Sequence, residues 1–97
     1  MRTLLIDDVR NLKADVTART YSEGVAALKK EKFDLLLLDH DLGELKNGEL
    51  DKTGYDILCW LEDPENREYL PGKIELVTAN PVGRDRMNMV IDKLYGE

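Results

Sequence analysis

The chain has few of the features that mark secreted or membrane proteins. Its one cysteine, Cys59, excludes an intrachain disulfide, and no other signal points to an oxidising compartment. No apolar run approaches the roughly 20 residues that a membrane-spanning helix needs. The apolar run at the N-terminus is also too short for the core of a signal peptide. We therefore expect a cytoplasmic protein that does not enter a membrane.

Positive charge is also scarce. The chain has 14 Lys and Arg residues and 20 Asp and Glu residues, which gives a formal net charge of −6. A protein that binds nucleic-acid polymers normally carries a basic face that displaces counterions, so this composition disfavours that class. A small phosphorylated ligand is still compatible with the charge, provided that metal ions or local arginines offset the acidic field.

What remains is the composition of an ordinary globular protein. Hydrophobic residues make up 42% of the chain and charged residues 35%, a balance that favours a folded core over disorder. A length of 97 residues is sufficient for one core and too short for two. We expect a single domain over residues 1–97.

Short apolar segments alternate with amphipathic ones along the chain. The strand signals lie at residues 3–6, 16–20, 33–39 and 74–78, and the second of these is polar enough for an edge strand. The first and third are continuous apolar runs, which is typical of strands buried in a parallel sheet. The sequence therefore predicts an α/β fold with a small open parallel sheet of about four strands and helices on its faces.

Three helices are predicted between and after these strands. Thr20 with Glu23, and Thr53 with Asp56, have the spacing of capping boxes, so helices should follow each threonine. The first should reach about Lys32, and the Asp-Pro pair at 63–64 should end the second. The last helix shows buried positions at the helical spacing i, i+3, i+4, i+7, namely Met87, Val90, Ile91 and Leu94. Residues 43–52 predict an exposed loop that could close over a site.

Carboxylates and small polar side chains follow three of the predicted strands. In an open parallel sheet the ligand site lies beyond the carboxyl ends of the strands, so these groups should meet in one crevice. Gathered carboxylates repel one another unless a cation joins them, and hard oxygen ligands suit Mg²⁺ or Mn²⁺. We take Asp7, Asp8 and Asp39 as candidate metal ligands, and the alternative is a solvated acidic rim. The residues expected at this edge are Asp7, Asp8, Asp39, Asp41, Thr78 and Asn80.

Proton transfer at the site would fall to the single histidine. His40 lies between two aspartates, which favours a general acid or base. Strand alternation points it away from Asp39, so a structural role is an open alternative.

Four further side chains are candidates for phosphate binding. Arg10 follows the acidic pair, and Arg84 lies near the start of the last helix, where amides and a guanidinium could receive a phosphate. Both could equally be surface charges. Thr78 and Asn80 could donate hydrogen bonds to phosphate oxygens, or Asn80 could cap the turn before Pro81.

The pattern resembles a known family. Leu5-Ile6-Asp7-Asp8, Leu36-Leu37-Leu38-Asp39 and Leu76-Val77-Thr78-Ala79 are similar to the corresponding segments of response-regulator receiver domains. The likeness spans nearly the whole chain and implies a truncated receiver (flavodoxin-like) architecture. In receivers the acidic pair helps to hold magnesium, the aspartate matching Asp39 accepts a phosphoryl group, and a hydroxyl like that of Thr78 contacts it.

A narrower group matches better. The sequence resembles the cyclic-phosphate processing receiver domains in four ordered blocks, which are Asp7-Asp8-x-Arg10, Leu38-Asp39-His40-Asp41-Leu42-Gly43, Thr53-Gly54-Tyr55-Asp56 and Asn80-Pro81-x-Gly83. The lysine that receivers carry after a fifth strand has no counterpart, and the first receiver helix is also missing. Both departures disfavour conventional phosphorelay signalling.

Three functions follow as hypotheses. The first is a metal-dependent enzyme acting on a phosphoester or cyclic phosphate, which a cyclic nucleotide could supply, with Asp39 and His40 as catalytic residues. The second is a phosphoaccepting receiver that switches a protein partner. The third is a non-catalytic module that binds a nucleotide or another protein, since fold alone does not decide function.

Overall fold

The computed structural model of the chain describes residues 2–7, 12–40, 53–78 and 81–96. It contains a four-stranded, all-parallel sheet, which confirms the sheet predicted from the sequence. The strand order is β2-β1-β3-β4, so the short polar segment predicted as an edge strand lies at an edge. The strands are β1 (Thr3–Ile6), β2 (Val16–Ala18), β3 (Leu35–Leu38) and β4 (Lys73–Leu76).

The two central strands, β1 and β3, consist mainly of leucine and isoleucine, and four of these side chains are buried in the core. Leu4, Ile6, Leu36 and Leu38 are all fully buried. Their register, with Ile6 beside Leu38, stacks apolar side chains of β1 and β3 on the same face. Such runs are expected in the middle of a parallel sheet.

The helices begin where the capping residues predict. Thr20 Oγ1 accepts a hydrogen bond from the backbone N–H of Glu23 at 3.1 Å, and α1 (Tyr21–Lys30) follows. The Asp56 carboxylate accepts one from the backbone N–H of Thr53 at 2.7 Å, and α2 (Gly54–Glu62) follows. These bonds satisfy N–H groups that the first turn of a helix leaves open. The last helix is α3 (Pro81–Tyr95).

The helices form one layer against the sheet. Successive connections from β2 to β3 and from β3 to β4 run in the same direction across the sheet, so right-handed crossovers place α1 and α2 on the same face. Helix α3 packs beside α2. Its residues Met87, Val90 and Leu94 are buried in the core, as their helical spacing predicts, whereas Ile91, the fourth predicted position, is only partly buried.

Some predicted boundaries differ from the structure. β2 ends at Ala18 rather than at residue 20, and β4 begins at Lys73 and ends at Leu76. The backbone N–H of Val77 still bonds the carbonyl of Leu38 at 3.0 Å, so pairing fades beyond β4 rather than stopping. A 3₁₀ helix at Pro64–Tyr69, which the sequence analysis did not predict, follows α2.

Two other expectations concern the chain more broadly. The loop predicted at residues 43–52 lies outside the described residues. Within the described ranges, none of the helices has the length and apolar character required to cross a membrane.

Candidate functional site

Two buried aspartates lie side by side at the carboxyl ends of the central strands. Asp7 follows β1 and is 0% exposed, and Asp39 follows β3 and is 6% exposed. The backbone N–H of Asp39 bonds the carbonyl of Ile6 at 3.0 Å, which continues the β1–β3 ladder beyond its last paired residues. The Asp7 N–H likewise bonds the Ala18 carbonyl at 3.1 Å and continues the β1–β2 ladder. The sheet therefore holds both backbones at the point where the strand order reverses.

Backbone hydrogen bonds tie His40 to Asp39 and to the start of α2. The His40 backbone N–H donates to Asp39 Oδ1 at 2.8 Å, so the main chain of one residue orients the carboxylate of the other. Its carbonyl accepts from the Gly54 N–H at 2.7 Å, which ties it to the start of α2. The half-buried imidazole lies against Gly83 in the first turn of α3. The backbone of His40 is therefore held by Asp39 and Gly54, and its ring is held by Gly83.

Two glycines allow this close packing. A Cβ at Gly83 would lie only 2.5, 2.7 and 2.9 Å from Cδ2, Cγ and Nε2 of His40. A Cβ at Gly54 would collide with the main-chain carbonyl of Asp39. Both helices can therefore approach the end of β3 only because these positions lack a side chain. The sequence analysis quoted both glycines within motifs without identifying the groups that pack against them.

Thr78 and Arg84 come together at the end of β4. Thr78 is 5% exposed and lies two residues beyond that strand. The guanidinium of Arg84, on the first turns of α3, reaches the carbonyl of Thr78 with Nη1 at 3.5 Å. Register places Leu76 beside Leu38, so the segment after β4 emerges at the same edge of the sheet as Asp39. This contact places the Arg84 guanidinium beside Thr78, the polar residue that follows β4.

Arg19 is a second cation at this edge, and the sequence analysis did not identify it. It follows β2, is half-buried, and donates from Nη1 to the carbonyl of Asp7 at 3.2 Å. Its own backbone N–H bonds the Glu23 carboxylate at 2.8 Å. The rule that strand ends share one edge, applied to the edge strand as well, would have placed it here.

Several predicted site residues lie outside the described part of the chain. The described set therefore contributes two buried carboxylates, and no group of three or more His, Cys, Asp or Glu residues with metal-binding geometry occurs within it. Two carboxylates nevertheless fit Mg²⁺, which proteins often bind through one or two carboxylates with water completing the shell. The predicted residues for which no structure is described are Asp8, Arg10, Asp41 and Asn80.

Charges at the opposite end of the sheet pair with one another. Arg2 donates from Nε and Nη2 to the two carboxylate oxygens of Glu31, each at 2.8 Å. This hydrogen bonding lowers the pKa of Glu31 and raises the pKa of Arg2. A pocket of about 310 Å³ lies there beside Lys13, but its Asp15 carboxylate already accepts from the Thr3 N–H at 2.7 Å. These groups serve the fold, and the buried carboxylates mark the other end as the candidate site.

Comparison with known proteins points in the same direction. The family model described as cyclic-phosphate processing Receiver domain matches residues 2–93. This range includes every described residue placed at the candidate site. No curated protein and no solved structure gives a significant match.

Proposed function

The chain belongs to the family of cyclic-phosphate processing receiver domains, and from this premise we propose that it is a divalent-metal-dependent domain acting on a phosphoester or cyclic phosphate. The ligand would be a small phosphorylated molecule, of which a cyclic nucleotide is one example. The net charge of −6 disfavours a nucleic-acid polymer as the partner.

The observation that carries this proposal is the pair of buried carboxylates at adjacent strand ends. Asp7 and Asp39 follow paired strands in register and are both almost fully removed from solvent. Burying two acids side by side is costly for stability unless hydrogen bonds or a cation offset the charge. Their position at the carboxyl ends of the strands, where open parallel sheets commonly bind ligands, supports a role for them beyond stability.

Mg²⁺ or Mn²⁺ fits this donor set. Both ions prefer carboxylate oxygens and water, and Asp7 and Asp39 would supply the protein ligands together with Asp8 from the sequence motif. When bound, such an ion polarises a phosphoryl oxygen and lowers the pKa of water at the site.

The neighbouring residues have separate roles in the proposed reaction. His40 transfers a proton. The hydrogen bond from its backbone N–H to the Asp39 carboxylate holds that carboxylate in a fixed orientation beside it. The Arg84 guanidinium, the Thr78 hydroxyl and, from the sequence, Arg10 and Asn80 bind phosphate oxygens. In an alternative route an Asp39 oxygen attacks the phosphorus, the ester P–O bond breaks as its oxygen takes a proton from His40, and water then hydrolyses the resulting acyl phosphate.

Turnover is the test of this proposal. The full chain is incubated with Mg²⁺ or Mn²⁺ and a panel of cyclic and linear nucleotides and simple phosphoesters, and ³¹P NMR follows the products. We expect at least one substrate to be cleaved, and we expect Asp39→Asn and His40→Ala each to abolish cleavage. Asp34→Asn is the matched control, because Asp34 flanks the other end of β3 and is exposed.

Other results would favour the competing functions. Stoichiometric labelling of Asp39 by a small phosphodonor, without turnover, would indicate a phosphoaccepting receiver. Saturable nucleotide binding without any product would indicate a capture module. Absence of turnover, labelling and binding across the panel would contradict all three ligand-based functions and leave a protein-interaction domain.

A further inference from the structure

The outer edge of β4 presents backbone groups that pair with no residue in the described parts of the chain. The Val77 N–H bonds the carbonyl of Leu38 in β3, and bonding sides alternate along a parallel strand. The N–H and C=O groups of Lys73 and Glu75 therefore face β3, and those of Ile74 and Leu76 face outward. No strand pairs with the outer side of β4 among the described residues, so β4 is an edge of the sheet that these residues form. Open edges of this kind readily pair with another strand.

The side chains of β4 divide sharply between its two faces. Ile74 is buried in the core on the side of the helices. Lys73 and Glu75 are exposed on the other face and have opposite charges. They flank Ile74 symmetrically, one residue before it and one residue after it.

We propose that β4 pairs antiparallel with β4 of a second copy of this chain, about a two-fold axis at Ile74. In this register the two Ile74 residues exchange their outward N–H and C=O groups. Each Lys73 then lies directly opposite Glu75 of the other copy, so the dimer contains the same cross-strand ion pair twice. These pairs flank a hydrogen-bonded pair, which is where opposing side chains approach most closely.

The charges of Lys73 and Glu75 favour this register over its neighbours and this edge over the β2 edge. Shifting the pairing by two residues would set Glu75 against Glu75, and like charges directly opposite one another destabilise a strand pair. At the other edge of the sheet, the exposed residue of β2 is the uncharged Thr17, which offers no comparable selection. A two-fold contact also closes on itself, so the open β4 edges of both copies are covered in the dimer.

Sedimentation equilibrium of the full chain over a wide concentration range tests this proposal independently of the proposed catalytic function. We expect the wild type to show a monomer–dimer equilibrium. Lys73→Glu and Glu75→Lys should each weaken dimerisation by roughly tenfold or more, since each turns two attractive pairs into two repulsive ones. The double variant Lys73→Glu/Glu75→Lys should restore it, because the swapped charges again face opposite charges.

Two further variants complete the experiment. Lys13→Glu makes the same charge change at an exposed site far from β4 and should leave dimerisation unchanged. Glu75→Gln should weaken the dimer in the proposed register and would strengthen it in the shifted one. A wild type that stays monomeric through the millimolar range, or a double variant that dimerises no better than the single ones, would overturn the proposal. Circular dichroism checks that each variant is folded.

Discussion

Replacing Gly83 with alanine should separate the stability of the fold from the function of the site. The new Cβ would lie 2.5 Å from Cδ2 of His40, whereas carbon atoms attract best at about 3.5 to 4.0 Å. The imidazole must therefore retreat by about 1 Å. The backbone of His40 cannot follow easily, because its N–H bonds Asp39 and its carbonyl accepts from Gly54. The ring must instead rotate about its side-chain torsions.

Two opposite effects of this substitution on the free energy of unfolding should nearly cancel. Forcing a side chain about 30° from its preferred torsion costs about 0.5 to 1.5 kcal/mol. Alanine is favoured over glycine inside a helix by about 1 kcal/mol. We expect the free energy of unfolding of Gly83→Ala to stay within about 1 kcal/mol of the wild type, by the difference of these two terms.

The effect on the proposed reaction should be much larger. A misplacement of about 1 Å at a reacting group can cost about 100-fold in rate, and we expect a loss of this order. Urea denaturation measures stability, phosphoester turnover measures activity, and the NMR signals of the His40 ring report its displacement.

A double-mutant cycle provides the control. In a His40→Ala background the substitution at Gly83 should have no further effect on any remaining ligand binding, because the ring that it displaces is gone. A Gly83→Ala variant with unchanged His40 signals and full turnover would refute the reasoning.

Three further predictions concern the core, the candidate site and the last helix. Leu36→Ala should lower the free energy of unfolding in urea by about 2 to 5 kcal/mol, since Leu36 is fully buried, and a loss below about 1 kcal/mol would contradict this packing. Arg19→Ala removes the donor to the Asp7 carbonyl and should weaken Mg²⁺ binding in calorimetry, with Arg19→Lys closer to the wild type. Equal affinities for all three proteins would argue against this role. Burial raises the pKa of Tyr95 to about 12, so its neutral phenol contributes stability below about pH 10 that is lost as the pH rises towards 12. Tyr95→Phe should abolish that alkaline loss in denaturation curves, and it should cost about 1 kcal/mol at pH 7 because the 2.6 Å bond to the Pro71 carbonyl disappears.

Strands and helices with strong local signals were predictable. β1 matches its predicted residues because an apolar run is bounded sharply by an acid on its C-terminal side. α1 and α2 begin at their capping threonines because the carboxylate or hydroxyl bonds there are local to the sequence. The boundaries of β4 were predicted less well, since a strand ends where its neighbour ceases to pair, which depends on β3 rather than on β4 itself.

The parts of the site that escaped prediction depend on contacts between distant segments. Arg19 follows an edge strand without any motif, and only the sheet order brings it to Asp7. Gly83 was quoted only within a motif, and the group that packs against it, His40, lies more than 40 residues earlier in the chain. The 3₁₀ helix starts where Asp63 accepts from the Glu65 N–H at 3.0 Å, a local signal that the sequence analysis used only to end α2.

The most direct test of the central claim is a calorimetric titration of Mg²⁺ and Mn²⁺ into the full chain. The account predicts saturable binding that Asp7→Asn and Asp39→Asn each abolish, because these buried carboxylates supply the proposed ligands. Asp34→Asn, at the other end of β3, should bind like the wild type. Absence of binding up to millimolar metal, or binding that survives both site substitutions, would contradict the claim that this edge of the sheet is a metal site.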